Sequence, residues 1–344
     1  MDKNTIKNIE SILDKTGGYS VTVFGDFCLD KYIYIDPERD EISLETGLAA
    51  YMADSKKLSP GGAGNVAANL ISLGVKVKTV GIAALDGEGY ELLGCLNALG
   101  ADTSLMLRTD PSKTCTSTYL KPMRRQPDGS CKEMNRFDFR NFTPIDTETE
   151  EKLLENLKKA VKETDAVLIC DQFVQRNLGA VTDRVRDGVA EIAAENPDKI
   201  FFVDSRAFTA EFKNCIIKCN NHEFVTTLCG ESDALSDDFD YIAKKACELS
   251  CKNGKKLFVT LGEKGIMAVG GDSAEIIAAC VVTGETDICG AGDATAAALV
   301  TGMLTGLCDR DAASLATAVS AITIKKIGCT GTASPEEIKK RINE

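Results

Sequence analysis

The feature that most constrains this chain is a glycine-rich turn that runs directly into an alanine-rich helix. Gly290-Ala291-Gly292-Asp293 leads into Ala294 to Val300, where every residue is small or apolar. At the start of such a helix, free backbone N–H groups and the positive end of the helix dipole can hold a phosphoryl group. Asp293 lies in the first turn and can accept a proton from an attacking hydroxyl. The pattern predicts phosphoryl transfer to an alcohol; the alternative is a tightly packed helix start with an Asp that complements the dipole.

A second glycine cluster begins an earlier predicted helix. Gly61-Gly62-Ala63-Gly64 comes directly before Asn65. Glycines at a loop-to-helix junction permit close backbone approach to a polyol, and the Asn65 amide can both donate and accept hydrogen bonds. The cluster therefore predicts a sugar-binding loop, and the alternative is an ordinary flexible loop before a helix.

Two carboxylates follow the first predicted strand, Tyr19 to Phe24. Asp26 and Asp30 lie beyond its carboxyl end, and ligands of open α/β sheets bind outside the carboxyl ends of strands. Carboxylates in this place suit sugar hydroxyls, so both residues are candidate sugar ligands. The alternative for each is a helix or turn cap.

Two further segments are candidates for nucleotide binding. Asn220 and Glu223 follow an apolar strand and could place oxygen ligands near hydrated Mg²⁺. The same spacing is also typical of an N-cap with its capping-box partner. Thr260, Gly262 and Gly265 join two predicted strands, and the glycines could clear room for a nucleotide. By itself that second segment predicts only a hairpin turn.

Strand and helix patterns alternate along most of the chain. Predicted strands at Tyr19 to Phe24, Lys76 to Ile82 and Thr103 to Leu107 are separated by helical segments such as Gly87 to Leu99. This βαβ order implies a parallel sheet with helices on its faces. The order is interrupted at about 31–57 and about 113–139, where alternating residues and a hairpin predict a small β-rich lid. We expect one α/β domain over residues 1–344.

Charge and composition restrict the partners. Lys and Arg number 40 against 52 Asp and Glu, which gives a formal net charge of -12. Such a surface repels nucleic acid and anionic membranes, so neither is an expected partner. The longest uncharged stretch near the C-terminus, Ala294 to Cys308, has 15 residues and is too short to span a bilayer. No secretory signal precedes the 14 cysteines, which predicts free thiols and a cytoplasmic protein.

Taken in order, these segments resemble the phosphofructokinase B (PfkB)/ribokinase family of carbohydrate kinases, from Val21 to Pro335. Asp287-x-x-Gly290-Ala291-Gly292-Asp293 matches the family's second signature, and the cluster that begins at Gly61 matches its first. Within the family, the chain is similar to the kinases that phosphorylate D-glycero-D-manno-heptose 7-phosphate. The motifs that carry this similarity are Gly25-Asp26-x-x-Leu29-Asp30-x-Tyr32, Arg136-x-Asp138, Val203-Asp204, Asn220-x-x-Glu223 and Gly328-Cys329-Thr330-Gly331-Thr332.

The resemblance implies a ribokinase-like three-layer sandwich, with a mostly parallel central sheet and a small β-rich lid that closes over the sugar. It also implies ATP and Mg²⁺ as cofactors. Asp293 would be the general base, and Gly290, Ala291 and Gly292 would form the anion hole. The residues implied to hold the sugar are Asp26, Asp30, Gly61, Gly62 and Asn65. The residues implied at the nucleotide are Asn220, Glu223, Thr260, Gly262 and Gly265, with Glu223 acting on Mg²⁺ through water.

Departures from the family pattern leave the acceptor open. Asp204-Ser205-Arg206 stands where Asp-Pro-Lys is typical of the heptose kinases, at positions that could touch a phosphate or nucleotide. Ile288 and Cys289 replace the small hydroxylated residues common beside the second signature, so a monovalent cation, usual in relatives near this turn, is left open as a cofactor. A heptose 7-phosphate is the favoured acceptor, and Arg136 and Arg206 are the candidates for binding its phosphate. A fructokinase, a ribokinase and a nucleoside kinase are the alternatives within the family.

Two alternatives lie outside kinase activity. A non-catalytic sugar-binding or nucleotide-binding protein on the same fold would need no base, so Asp293 argues against it. A nucleotide-dependent oxidoreductase is disfavoured because no Gly-x-Gly-x-x-Gly follows the first strand. The open strand edges of the predicted lid also suggest a homodimer.

Overall fold

The structure is a computed structural model, and it describes residues 1–328 and 330–344. Cys329, part of the predicted tail motif, lies outside the described residues. The strands are β1 (Ser20–Gly25), β2 (Phe27–Ile35), β3 (Glu41–Ile42), β4 (Ala49–Ala50), β5 (Ala53–Gly62), β6 (Lys76–Ala84), β7 (Leu107–Thr109), β8 (Thr118–Arg125), β9 (Cys131–Glu133), β10 (Phe137–Phe139), β11 (Ala166–Asp171), β12 (Ile200–Ser205), β13 (Ile216–Asn220), β14 (Leu257–Thr260), β15 (Ile266–Gly270) and β16 (Ser273–Ile277).

The helices lie between these strands and at both ends of the chain. They are α1 (Lys3–Leu13), α2 (Ala63–Ser72), α3 (Gly87–Leu99), α4 (Thr147–Glu163), α5 (Asp183–Glu195), the single turn α6 (Asn221–Glu223), α7 (Phe239–Asn253), α8 (Ala291–Leu304), α9 (Asp309–Thr323) and α10 (Pro335–Ile342).

The main sheet has nine strands among the described residues, in the order β16-β15-β14-β13-β12-β11-β1-β6-β7. Neighbouring strands are parallel from β7 to β14, whereas β14 to β16 form an antiparallel edge. Because the strands from β14 to β7 run in one direction, their carboxyl ends meet along one edge of the sheet, the carboxyl edge.

Alternating side chains explain why helices cover both faces. Val23 packs in a core cluster with α1, α2, α8 and α9, whereas its neighbour Phe24 packs in a second cluster with α4 and α5. Leu168 and Ile169 on β11 divide between the same two clusters. Successive residues of a strand point to opposite faces, so a continuously apolar strand requires a helix layer on each side.

A second, smaller sheet extends from the carboxyl edge. It has the order β10-β8-β2-β5, and β9 also pairs with β8. β2 begins directly after Asp26, and β5 ends at Gly62, where α2 begins. Phe27 pairs with Gly62, so both ends of this β2–β5 ribbon join the main sheet at one place. The small sheet therefore stands over the ends of the main strands.

The structure differs from several predicted elements. The strand predicted at Thr103 to Leu107 occupies Leu107–Thr109 instead, because Met106 N–H bonds back to Thr103 O in a turn. Residues 114–117, predicted in a hairpin strand, lie outside β8, and the Thr116 hydroxyl donates to Asp86. The prediction missed β16, α7 and α10, although α10 buries Ile338 and Ile342 on one face and begins with a capping box at Ser334 and Glu337. No helix within residues 1–328 and 330–344 has the length and apolar character needed to cross a membrane.

Candidate active site

The start of α8 presents unpaired backbone donors, as the glycine-rich turn predicts. Gly290 has φ 79°, a left-handed conformation that suits glycine. Ala291 N–H bonds to Ile288 O at 3.1 Å, and Ala294 N–H bonds to Gly290 O at 3.0 Å. The N–H groups of Gly292 and Asp293 have no hydrogen-bond partner within the described residues. Two such donors together with the helix dipole are the arrangement that binds anions at helix N-termini, so we call this segment the anion-binding turn, and its role stays a prediction.

Asp287 holds this turn in place. Its Oδ1 accepts a hydrogen bond from Cys289 N–H and its Oδ2 one from Gly328 N–H, both at 3.0 Å. Asp287 N–H in turn donates to Ile324 O at 2.8 Å, just beyond the end of α9. The residue that precedes the anion-binding turn is therefore fixed to the end of the neighbouring helix.

Asp293 has the chemistry expected of a base near neutral pH. Burial, together with the negative charge of Asp204, raises the pKa of Asp293 to about 6. Lys218 and a 3.3 Å hydrogen bond from Asn65 Nδ2 to Asp293 Oδ2 act in the opposite direction. A carboxylate with this pKa is mostly ionised at neutral pH and still binds a proton better than an ordinary Asp. Asn65, predicted to hold a sugar, contacts the predicted base directly.

A buried ion pair beside Asp293 was missed by the sequence analysis. Lys218 Nζ lies 2.8 Å from Asp204 Oδ2, and both side chains are at most 10% exposed. The two residues are direct partners in the register of β12 and β13. One signal was available, since Lys218 is a lone charge in an otherwise apolar strand. Its partner depends on strand order, which the sequence pattern did not give.

Asp26, a predicted sugar ligand, is buried at the carboxyl edge. Its Oδ2 accepts a hydrogen bond from Gln172 N–H at 2.8 Å, and its Oδ1 accepts one from Ala180 N–H at 2.6 Å. Burial raises the pKa of Asp26 despite these donors. The backbone of Phe173 also donates to this carboxylate, which therefore fixes the segment that follows β11.

Asp30 and Gly61 lie together on the small sheet. Asp30 Oδ1 is 2.8 Å from Lys121 Nζ, and both side chains are at most 15% exposed. A Cβ on Gly61 would lie 2.5 Å from Asp30 Oδ2, so only glycine leaves room for this carboxylate. Lys121 also lies over the ring of Tyr32, at 4.7 Å from its centroid. Gly62, with φ 56°, then turns the chain into α2.

A cluster of arginines surrounds Tyr119 on the same sheet. Arg136 makes a two-point ion pair with Asp138, at 2.6 Å and 2.9 Å, and lies over the Tyr119 ring at 5.0 Å. Arg140 lies over the same ring at 5.3 Å. Arg206, from the carboxyl edge, is exposed, and its charge affects the pKa values of Tyr119 and Asp293. These positive charges converge where the small sheet faces the main sheet.

Asn220 and Glu223 form the capping box that the spacing allowed. Asn220 Oδ1 accepts from Glu223 N–H at 2.8 Å, and Glu223 Oε2 accepts from Asn220 N–H at 2.9 Å. Burial raises the pKa of Glu223. Its Oε1 has no hydrogen-bond partner within the described part of the chain, so one carboxylate oxygen remains for a water ligand of Mg²⁺. The residue fits a hydrated cation while also capping α6.

In the loop predicted to bind the nucleotide, packing requires a glycine at one of the two glycine positions. A Cβ on Gly265 would lie 2.0 Å from Ile277 O, so the residue must be glycine for β15 to pack on β16. Gly262, with φ 57°, would place a Cβ in open space. Thr260 Oγ1 donates to Cys219 O at 3.4 Å, at the carboxyl edge. Their role at a nucleotide stays a prediction.

The oxygen atoms beside the anion-binding turn are already occupied by hydrogen bonds, which does not favour binding of a monovalent cation there. Both carboxylate oxygens of Asp287 already accept backbone N–H groups. The Lys325 ammonium donates to the carbonyl oxygens of Thr283 and Glu285 at 2.9 Å and 2.8 Å. A potassium-sized ion needs several oxygens directed at one point, and here a lysine already satisfies two of them.

Comparisons with known proteins give one family description. A sequence profile described as pfkB family carbohydrate kinase matches residues 21–337. The protein named "Bifunctional protein HldE" in Hyphomonas neptunium is 31% identical over 265 residues, which are 77% of this chain and 51% of that protein. The chain spans about half the length of the curated relatives it matches.

Solved structures share the fold. The structure of Arabidopsis thaliana ribokinase complexed with ribose and ATP has a TM-score of 0.67 and 17% identity, covering 95% of this chain and 99% of that one. Escherichia coli phosphofructokinase-2 in complex with potassium has a TM-score of 0.66 and 14% identity, covering 94% and 98%. These likenesses confirm the predicted ribokinase-like fold, with a mostly parallel sheet between helices and a small second sheet.

Proposed function

Because the chain belongs to the pfkB family of carbohydrate kinases, we propose that it transfers the γ-phosphoryl group of ATP to a sugar hydroxyl. One observation carries the proposal: a carboxylate with a pKa of about 6 lies beside two backbone N–H groups at the start of α8 that have no hydrogen-bond partner among the described residues. The base and the anion-binding site are thus neighbours, as transfer to an alcohol requires. The similarity of the two glycine-rich segments to the two signatures of the PfkB family supports the same reaction.

The chain's own groups account for each step. The acceptor hydroxyl gives its proton to Asp293, while its oxygen attacks the γ-phosphorus and the bond to the leaving ADP breaks. The N–H groups of Gly292 and Asp293 stabilise the charge on the transferring oxygens, together with the dipole of α8. Asn65 orients the carboxylate through its 3.3 Å hydrogen bond. Mg²⁺, when bound through water at Glu223, would neutralise the ATP phosphates.

The small sheet is proposed to cover the acceptor. It stands over the carboxyl edge. Asp30, Lys121 and Arg136 on this sheet would contact the acceptor from one side, and the main sheet would contact it from the other. Closure would exclude water, which otherwise competes with the sugar for ATP. Asp26, Gly61 and Gly62 connect this sheet to the main one, so a bound sugar would contact both parts.

A heptose 7-phosphate is the proposed acceptor, and a fructose-type sugar, ribose or a nucleoside are the alternatives. The relatives named HldE support the heptose, at 25–31% identity over part of their length. The cationic groups around Tyr119 also support an acceptor that already carries a phosphate, since Arg binds phosphate oxygens in a two-point geometry.

Release of ADP from Mg·ATP across a panel of acceptors tests the proposal. The panel contains heptose 7-phosphate, fructose 6-phosphate, fructose, ribose and adenosine, with the Asp293→Asn variant as the control. We expect at least one acceptor to raise ADP release far above the rate without acceptor, and only in the parent enzyme. A chain that releases ADP equally with every acceptor and with none would contradict the proposal.

We also propose a homodimer through the small sheet. Ile42, Leu44 and Leu48 are 66%, 103% and 69% exposed around the β3–β4 hairpin. The β5 and β10 edges lack a partner strand among the described residues. Apolar side chains and open edges together favour association of two copies. Sedimentation velocity should show a dimer in the parent chain and a monomer in Leu44→Glu/Leu48→Glu; a parent monomer at high concentration would overturn this proposal.

A further inference from the structure

We propose that the buried ammonium of Lys218 completes the anion hole and contacts the phosphoryl group as it is transferred. The inference rests on the proposed kinase reaction and adds a residue to it. Lys218 was not predicted as a site residue, and its role follows from where the fold places it.

The ammonium of Lys218 faces the start of α8. A Cβ built on Gly292 would lie 3.1 Å from Lys218 Nζ, so the missing side chain leaves the ammonium next to this turn. In the part of the chain that the structure describes, the N–H groups of Gly292 and Asp293 have no hydrogen-bond partner. Two neutral donors and one charged donor therefore border the same space, on the side where Asp293 would hold the acceptor.

The partner of Lys218 explains how a lysine is kept there. Asp204 lies opposite it in the strand register and accepts its hydrogen bond at 2.8 Å. Burying such a pair costs desolvation of both charges, and apolar side chains of similar volume often stabilise a protein as well or better. The pair is therefore weak evidence for a stability role, and its position beside the anion-binding turn supports a functional one. In this arrangement Asp204 is a positioning residue.

The charge balance of the reaction gives Lys218 its use. As the acceptor oxygen bonds to the γ-phosphorus, its proton passes to Asp293, and the bonding electrons of the broken P–O bond leave with ADP. Negative charge is present on the transferring oxygens throughout. A fixed ammonium beside them stabilises that charge without giving up its own proton, because Asp204 keeps the lysine charged.

The test compares Lys218→Met with the parent enzyme. We expect kcat to fall about 100-fold with the best acceptor, as for loss of one donor to a transferring group. Ligand affinity distinguishes a contact with the phosphoryl group from a structural role, because loss of structure alone would not weaken binding of one ligand selectively. Affinity for ADP with aluminium fluoride, which fills the γ-position, should fall much more than affinity for ADP alone.

Two further variants make the test decisive if the first one misfolds. Gly292→Ala retains both Lys218 and Asp204 but places a methyl group 3.1 Å from the ammonium, which must move away from the turn, so it should reproduce the selective loss. Lys199→Met is the control. Its ammonium, partly buried, caps the carbonyls of Val161 and Thr164 at the amino end of β12, on the opposite edge of the sheet.

Each outcome separates this inference from the proposed function. Full activity of Lys218→Met, or an equal loss of affinity for ADP and for ADP with aluminium fluoride, overturns the role of Lys218 alone. If Lys218→Met does not fold, undiminished activity of Gly292→Ala overturns it as well. A parent enzyme that phosphorylates no acceptor overturns the proposed function and this inference with it.

Discussion

The two sides of the proposed active site are built differently. On the transfer side, Lys218 and Asp204 have side-chain exposures of 6% and 10% and come from adjacent strands of the main sheet. On the acceptor side, the Asp30–Lys121 pair is also buried, but Arg136 and Asp138 have exposures of 42% and 26% and lie at the edge of the small sheet. Charges on rigid, buried elements suit a reaction step common to every acceptor. Charges on an exposed edge can change with less effect on the fold, so acceptor choice should depend on the small sheet.

The largest expected effect is on the transfer side. Asp293→Asn should lower kcat by about 1,000-fold with every acceptor, because the amide cannot take the proton of the attacking hydroxyl. Steady-state ADP release measures this loss. Burial disfavours the charged carboxylate, so the neutral amide should not lower the melting temperature. A variant that folds and retains parental kcat would show that the base lies elsewhere.

The pH dependence should also come from the transfer side. The pKa of Asp293 is raised to about 6, and the protonated form cannot act as a base. We therefore expect kcat/KM to be level above about pH 6 and to fall about tenfold for each pH unit below it. Initial rates at saturating ATP give this profile.

A control is needed because burial also raises the pKa of Asp26. The acid limb should persist in Asp26→Asn if Asp293 causes it. A limb that lies near pH 4, the ordinary range of an Asp carboxyl, would contradict the assignment.

A smaller, selective effect is expected on the acceptor side. Arg136→Met should raise KM for a phosphorylated acceptor by about tenfold, through loss of a charge-assisted contact, with little change in kcat. Arg125→Met is the matched control, since Arg125 also makes an exposed ion pair on the small sheet, with Asp54. The comparison fails if Arg136→Met and Arg125→Met behave alike, or if kcat falls and KM does not rise. In either case the transfer side would not alone control the rate, nor the acceptor side the choice of acceptor.

The smallest expected effect concerns monovalent cations. The Lys325 ammonium occupies two carbonyl oxygens beside the turn, and Asp287 accepts two backbone N–H groups. Replacing potassium chloride by tetramethylammonium chloride should therefore leave kcat unchanged. Strong activation of the parent enzyme by potassium would show that the turn rearranges to bind the ion.

Local patterns predicted the parts of the site that are local in sequence. The turn at Gly290 and the helix that follows it are specified within a few residues, because Gly tolerates φ > 0 and small side chains permit a close helix start. Asn220 and Glu223 similarly form their capping box within one turn. In these cases the interacting atoms are neighbours along the chain, so spacing alone indicates geometry.

Predictions were incomplete where the partner is distant in sequence. Asp26 was expected at a sugar, and its carboxylate also holds the backbone of Gln172 and Ala180. Asn65 was likewise expected at a sugar, yet it contacts Asp293, 228 positions away. Neither partner can be inferred without knowing which strand ends are adjacent.

The sequence by itself determined the alternation of strands and helices, and the glycine-rich turn with Asp293 at the start of the helix that follows, because each depends on contacts within one or two turns of chain. The tertiary structure alone decided that Lys218 and Asp204 are paired, that this pair faces Gly292, and that Asn65 reaches Asp293. The physical reason is that strand order and register bring those atoms together. Burial then raises the pKa of Asp293, which no local pattern specifies.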